Sequence, residues 1–411
     1  MLETQDGWPP GLAYHNIGLR LSISPPMLIG RRKTFFWYPY LARLANGEVL
    51  AVVNQGADSC EDNIKVPQAY TWSGDGGRSW TPAREFHAHG CCSDLTLPSE
   101  DLLLLPFNLF STPQGVRGPC ARIPKGRREA LFENDRIEVT GWPRPLGHYP
   151  APEIGGACQR LGLAGFFFNR QTLSVEDGRT YLATLYGTFA GDEKYSLVAA
   201  ESGDGFHWKI RSVIAGARCP CGMFGPCEAA LARLADGRLL CVFGQARPFR
   251  QCWSSDEGKT WTAPAPMAGN PSTDPDPWSD QKYPPPEPGP FSVMPSMAAL
   301  KSGTVALSSG RPGLYLWLNF DRKGLAWRRI DLQAHHNACH PDEPLVRHED
   351  ANYAAYGFGS TTSNTALIAL DERHLLVAYD RTPLHWPCPP AESTDPRNTF
   401  SSWVVRVRLD Y

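Results

Sequence analysis

Residues 227–261 read CEAALARLADGRLLCVFGQARPFRQCWSSDEGKTW. An apolar alternation runs to Asp236-Gly237, and a second apolar run, LLCVF, follows it. Gly takes positive φ without steric cost, so this break reads as the turn of a β-hairpin. The stretch then ends in Ser254-Ser-Asp256-Glu-Gly258-Lys-Thr260-Trp261. That is a tight turn in which an Asp carboxylate can accept from backbone N–H groups. Hairpin and turn both recur along the chain.

The hairpin returns as YLARLANGEVLAVV (40–53), LTLPSEDLLLLPF (95–107), TLSVEDGRTYLATLY (172–186), MAALKSGTVALSS (297–309) and ALIALDERHLLVAY (366–379). The turn returns at Ser73-Gly-Asp75-Gly-Gly77-Arg-Ser79-Trp80 and at Ser202-Gly-Asp204-Gly205-Phe-His-Trp208. A worn copy is Phe320-Asp321-Arg-Lys-Gly324-Leu-Ala-Trp327. The Trp is large enough to fill a crevice between neighbouring elements. This turn resembles the Asp box of sialidases and related β-propellers.

Six hairpin units, four followed by the turn, predict an all-β, six-bladed β-propeller of four-stranded sheets, with helix nearly absent. The whole chain, 1–411, reads as one domain, with blades near 38–90, 91–165, 166–226, 227–293, 294–345 and 346–411. An N-terminal strand within 12–24 pairs with residues 403–409 to close the last blade. Residues 264–290 hold ten Pro and so read as a loop between blades. Residues 111–165 read as an elaborated outer part of the second blade.

Composition agrees with a globular β protein. Gly and Pro number 38 each, and charged residues are only 20%. A net charge of −2 argues against nucleic-acid partners. No apolar run is long enough to span a membrane, and no signal peptide is visible at the N-terminus. Twelve Cys are too dilute for a disulfide scaffold, and buried free thiols are expected. Clusters at 335–340, at 87–92 and at Cys219, Cys221 and Cys227 lack metal-site spacing, so neither metal nor cofactor is expected.

Propeller sites lie where inner strands begin and end. Glu228 enters the fourth hairpin, and carboxylates avoid burial unless paired. Arg247 and Arg311 leave the fourth and fifth hairpins, one blade apart, and Arg suits a carboxylate ligand. Across essentially its whole length the chain resembles the sialidase superfamily. The resemblance implies a glycan substrate with a terminal acidic sugar, released by an exo-glycoside hydrolase. It implies an Arg set that grips the sugar carboxylate, an Asp acid/base and a Tyr–Glu nucleophile pair. Glu228 matches the Glu, Arg247 and Arg311 match two Arg positions, and Asp62, with Asp58 as runner-up, lies near the Asp.

The chain also departs from that pattern. Trp37-Tyr38-Pro39 stands where the family has Arg-Ile-Pro, which makes Trp37 and Tyr38 substrate-contact candidates. Asn364 stands where the family has its Tyr, with Tyr353 and Tyr356 upstream as substitutes. His336 is a further pocket candidate. A polysaccharide lyase acting on uronates and a non-catalytic carbohydrate-binding propeller are the alternatives.

Overall fold

The computed structural model describes residues 20–87, 90–128, 136–148, 158–221, 224–244, 249–267, 294–310, 313–345, 364–382 and 399–410. Strand makes up 51% and helix 6%, so the chain is all-β as its periodicity requires. The sheets are arranged as in a propeller, with five blades and one closed barrel of seven strands.

The first blade is Trp37–Arg43, Val49–Asn54, Gln68–Ser73 and Arg84–Phe86, paired in that order. The second is three-stranded: Cys91–Thr96, Leu102–Pro106 and Ala121–Ile123. Blades built on Ala230–Arg233 and on Ser296–Ala299 are four-stranded meanders. The closing sheet holds Thr365–Ala369, His374–Arg381 and Phe400–Asp410. Phe400–Asp410 receives two N-terminal strands, Arg20–Ile23 and Met27–Arg32, both antiparallel. The expected closure therefore forms over its described part.

The third hairpin unit departs from the expected six uniform blades. Its strands Thr180–Gly187, Ser196–Ser202 and His207–Ala215 join Asn108–Thr112, Gly115–Pro119, Arg136–Thr140 and Leu163–Phe168. Pairing of Glu138 with His207 is parallel, and pairing of Phe167 with Tyr186 closes the ring. The cause is burial. Leu109, Val116, Ile137 and Val139 present an apolar face to Phe166, Phe168, Leu185 and Trp208, and all eight are almost wholly buried together. Residues 108–119 and 136–140 are thus barrel wall instead of a blade-edge elaboration.

The Asp turns follow the third strand of their sheets, at the rim. Asp75 Oδ1 accepts from the amides of Arg78 and Ser79, both at 2.9 Å. Asp256 Oδ1 accepts from Lys259 and Thr260 at 3.1 and 2.9 Å. Asp204 Oδ1 accepts from Phe206 and His207, both at 2.8 Å. Burial alone raises these carboxyls, but the hydrogen bonds outweigh it and hold all three at about 2. Gly258, at φ +84°, leaves room for Leu182 of the barrel, which a Cβ there would meet at 3.0 Å. Each turn's Trp reaches the preceding sheet. Trp327, 1% exposed, packs on Leu240 and Val242, and Trp261 donates to Ser212 Oγ at 3.1 Å.

Replacing Asp256 by Ala removes the acceptor of four donors at one rim turn. The expected loss is about 1–2 kcal/mol, by analogy with a lost helix cap. A denaturant titration of Asp256→Ala reads it, and an unchanged midpoint overturns the structural role.

Candidate active site

Residues from all six hairpin units line one cavity of about 110 Å³, which places it at the centre of the ring. Tyr38 and Tyr40 come from the first strand of the first blade, Asn54 and Gln68 from its next two. Asp58 and Asn63 come from the loop and short helix Cys60–Lys65 between those strands. Cys91 and Cys92 open the second blade, and Arg170 follows strand Leu163–Phe168. Glu228, Met294 and Asn364 stand just before the first strands of the last three sheets.

Several of these residues hold the ring together. Asp380, fully buried, accepts from the Tyr38 amide at 2.8 Å and from the Asn364 amide at 3.1 Å, tying the first sheet to the last. Glu228 Oε2 accepts from the Met294 amide at 2.9 Å, tying the fourth blade to the fifth. Arg170 crosses the hub to donate from Nη1 to the Thr365 carbonyl. Tyr38, Glu228 and Met294 adopt φ of +54°, +49° and +47°, a region that side-chain-bearing residues enter at a cost. Strain of this kind concentrates where a site demands an orientation.

The hub is also electrostatically loaded. Arg170 is 3% exposed, and its desolvation lowers its pKa, while Cys92, Tyr40, Asp380 and Glu228 act in the opposite sense. Guanidinium stays charged under such perturbation. Arg170 Nε and Asn364 Oδ1 are buried and find no partner among the described residues. Each such group costs about 1–3 kcal/mol until a partner reaches it. The Tyr40 hydroxyl donates to Asp94 Oδ1, a bond between the first and second blades. Burial pushes the Asp94 carboxyl up to about 6, the Tyr40 hydrogen bond pulling it back only in part. Burial, the main cause, and the Asp94 charge raise the Tyr40 hydroxyl well above its ordinary value.

The residues singled out from the sequence fall into three groups. Glu228, Asp58 and Tyr38 line the cavity, Asp58 at its exposed rim. Asp62, Trp37 and His336 lie outside the lining. Asp62 Oδ2 accepts from the Ala57 amide at 2.6 Å and folds the loop that presents Asp58. Trp37 stacks under Tyr38 at 4.4 Å and donates Nε1–H to the Gly56 carbonyl at 2.9 Å. His336 is fully buried in helix Leu332–Cys339, with Nδ1 bonded to the Tyr379 hydroxyl at 2.8 Å and Nε2 to the Glu343 carbonyl at 3.0 Å. Burial lowers its pKa to about 4. Arg247, Arg311, Tyr353 and Tyr356 lie outside the described residues.

Arg170, Tyr40 and Asp94 went unread in the sequence. Asp94 carried a signal: it is a carboxylate inside an alternating inner strand, CCSDLT. Arg170 carried a weaker one, ending the apolar run LAGFFF two residues on. A disulfide joins Cys60 to Cys158 and anchors the cavity-lining loop; dilute cysteines gave no warning of it. No metal-holding group of His, Cys, Asp or Glu occurs among the described residues.

No known family matches the sequence, and no curated protein does. Solved structures do match. A protein of unknown function from Dyadobacter fermentans is 14% identical, with a TM-score of 0.59 over 94% of this chain and 99% of that one. A Hadza microbial sialidase is 11% identical, with a TM-score of 0.57 over 92% of this chain and 68% of its own. A Penicillium chrysogenum α-L-arabinanase is 14% identical, with a TM-score of 0.55 over 93% and 98%. At such identities the likeness is one of fold.

The raised Asp94 carboxyl makes a signed prediction. The folded state binds this proton more tightly than the unfolded chain, whose Asp titrates near the ordinary value of 3.8. Its stabilising contribution is therefore full below about pH 4 and is lost as pH rises to about 6. The melting temperature of the parent minus that of Asp94→Asn should fall across this window and then level. A difference independent of pH contradicts the burial of Asp94.

Proposed function

We propose that this chain is a glycoside hydrolase that removes a terminal acidic sugar from a glycan. The observation that carries the reading is the company Arg170 keeps. A buried guanidinium whose Nε finds no partner among the described residues faces a cavity that also presents Glu228, Asp58, two Tyr side chains and the amides of Asn54, Asn63, Gln68 and Asn364. Amides and tyrosines suit sugar hydroxyls, and Arg suits a sugar carboxylate. Sialidase and arabinanase folds among the structural neighbours support a glycan-acting propeller. The rim turns are read as Asp boxes with a structural role. Arg247 and Arg311 would complete the clamp.

The chemistry needs a nucleophile and an acid. A carbon already bearing a carboxylate repels a second one, so a Tyr oxygen suits the attack. Tyr40 is the described residue that fits. Its hydroxyl already points at Asp94, a carboxylate with its pKa near ambient pH and so suited to take the proton. Tyr353 and Tyr356 are the alternatives. Asp58, exposed at the rim, would protonate the leaving oxygen, and Glu228, beside Arg170, would balance its charge and position the ring.

A panel of aryl glycosides tests this: a sialoside, a uronide and an α-L-arabinofuranoside as the neutral comparison. Aglycone release from an acidic sugar is expected, with Tyr40→Phe and Asp58→Asn each lowering kcat by about 10²–10⁴. Arg170→Lys keeps the charge but loses the planar fork. It should raise KM for the acidic substrate roughly tenfold, a cost of about 1.4 kcal/mol, and leave the neutral one little changed. A product with an unsaturated ring absorbing in the ultraviolet makes the chain a lyase. Binding without turnover makes it a lectin-like module.

A further inference from the structure

Away from the cavity, at the junction of barrel and fourth blade, the segment Cys219-Pro-Cys221 gathers sulfur in a way the proposed reaction does not use. The Cys219 amide donates to the Gly216 carbonyl at 2.9 Å, and the Cys221 amide folds back to the Cys219 carbonyl at 2.8 Å. This two-residue return holds the two cysteines next to each other across one turn, near enough for the two thiols to act on each other. Their exposures differ sharply. Cys219 is partly open to solvent, whereas Cys221 is 1% exposed and packed with Cys227 in the apolar cluster beneath. Arg250 donates Nε–H to the carbonyl of Pro220 at 3.2 Å, which fixes a guanidinium beside the Cys219 sulfur.

We propose that Cys219 and Cys221 form a reversible dithiol–disulfide site that reacts with small-molecule disulfides, Cys219 attacking and Cys221 resolving. The arrangement assigns the roles. An attacking thiol has to be reachable and beside a positive charge, and Cys219 is both. A resolving thiol has to be close to it and closed to solvent, and Cys221 is both. The Cys221 hydrogen bond and then the Arg250 charge lower the Cys219 pKa, and the same shared proton raises that of Cys221.

The chemistry balances with a disulfide, RSSR, as the oxidant. The Cys219 thiolate attacks one sulfur, forms a mixed disulfide and expels RS⁻. Cys221 then loses its proton to the departing thiolate and attacks the Cys219 sulfur. The Cys219–Cys221 bond forms and a second RS⁻ leaves. Two protein thiols are oxidised and one small disulfide is reduced to two thiols. The other described free thiols fit poorly. Cys91, Cys92, Cys120, Cys227, Cys241 and Cys252 are buried, and Cys339 is exposed but has its pKa raised by partial burial of its thiol.

The full chain, freed of small thiols, is incubated with oxidised glutathione, blocked with N-ethylmaleimide, digested with trypsin and analysed by mass spectrometry. Cys219, Cys221 and Cys227 share one tryptic peptide. The parent and Cys227→Ser should yield that peptide with an internal disulfide. Cys221→Ser should stop at one glutathionyl group on Cys219, and Cys219→Ser should give neither. Separately, iodoacetamide at neutral pH should label Cys219 about tenfold faster than Cys339, and Arg250→Met should reduce the advantage. Two results overturn the proposal: a disulfide that survives Cys221→Ser but not Cys227→Ser, or alkylation of Cys219 no faster than that of Cys339. None of these readouts depends on turnover of a glycan.

Discussion

Everything at the hub depends on one strand. Phe400–Asp410 is where the ring closes, pairing with His374–Arg381 on one side and with both N-terminal strands on the other. Ser24 seals the join: its amide donates to the Arg406 carbonyl at 2.9 Å, and its hydroxyl accepts from the Arg406 amide at the same distance. These pairings join the two ends of the chain, so their loop-closure cost is high and is met by a long ladder with a mostly buried face. In the closed ring Asp380 reaches Tyr38, and Arg170 reaches Thr365. The site is therefore a product of closure and not of any single sheet.

The rim and the hub divide the work. At the rim, Asp carboxylates sit in turns that satisfy them fully, and indoles fill the gaps between neighbouring sheets. At the hub, some polar groups are buried without a partner among the described residues, a cation is buried beside the cavity, and three residues take left-handed backbone. The stable periphery makes the costly centre tolerable.

What could be read from the sequence follows the same division. Hairpins and rim turns are local, since a period of two, a Gly-bearing break and an Asp four residues ahead of a Thr or Ser are visible within fifteen residues. Glu228 was legible for the same reason, as a carboxylate at the entrance of an apolar strand. The barrel was not, because it rests on parallel pairing of residues 138–140 with 207–209, which no local pattern announces. Arg170 was not legible because its meaning lies in a carbonyl 195 residues away. His336 misled in the opposite way. Its neighbours at 335–340 look like a reactive cluster, yet their rings act as ties, bonding to the carbonyls of Ser24, Pro26 and Glu343.

The bond between Cys60 and Cys158 has a topological side. It turns residues 60–158 into a covalent circle, spanning 98 residues, that contains the whole second blade and the first strands of the barrel wall. Restricting an unfolded chain with a loop of this size is worth roughly 4–5 kcal/mol on an entropic estimate. A circle also changes what a cut peptide bond does. A protease that nicks the backbone once anywhere inside it opens the ring but frees no fragment, because both new ends remain linked through sulfur. The short helix that carries Asn63 can thus lose continuity with the second blade in the main chain and still stay attached to the rest of the molecule.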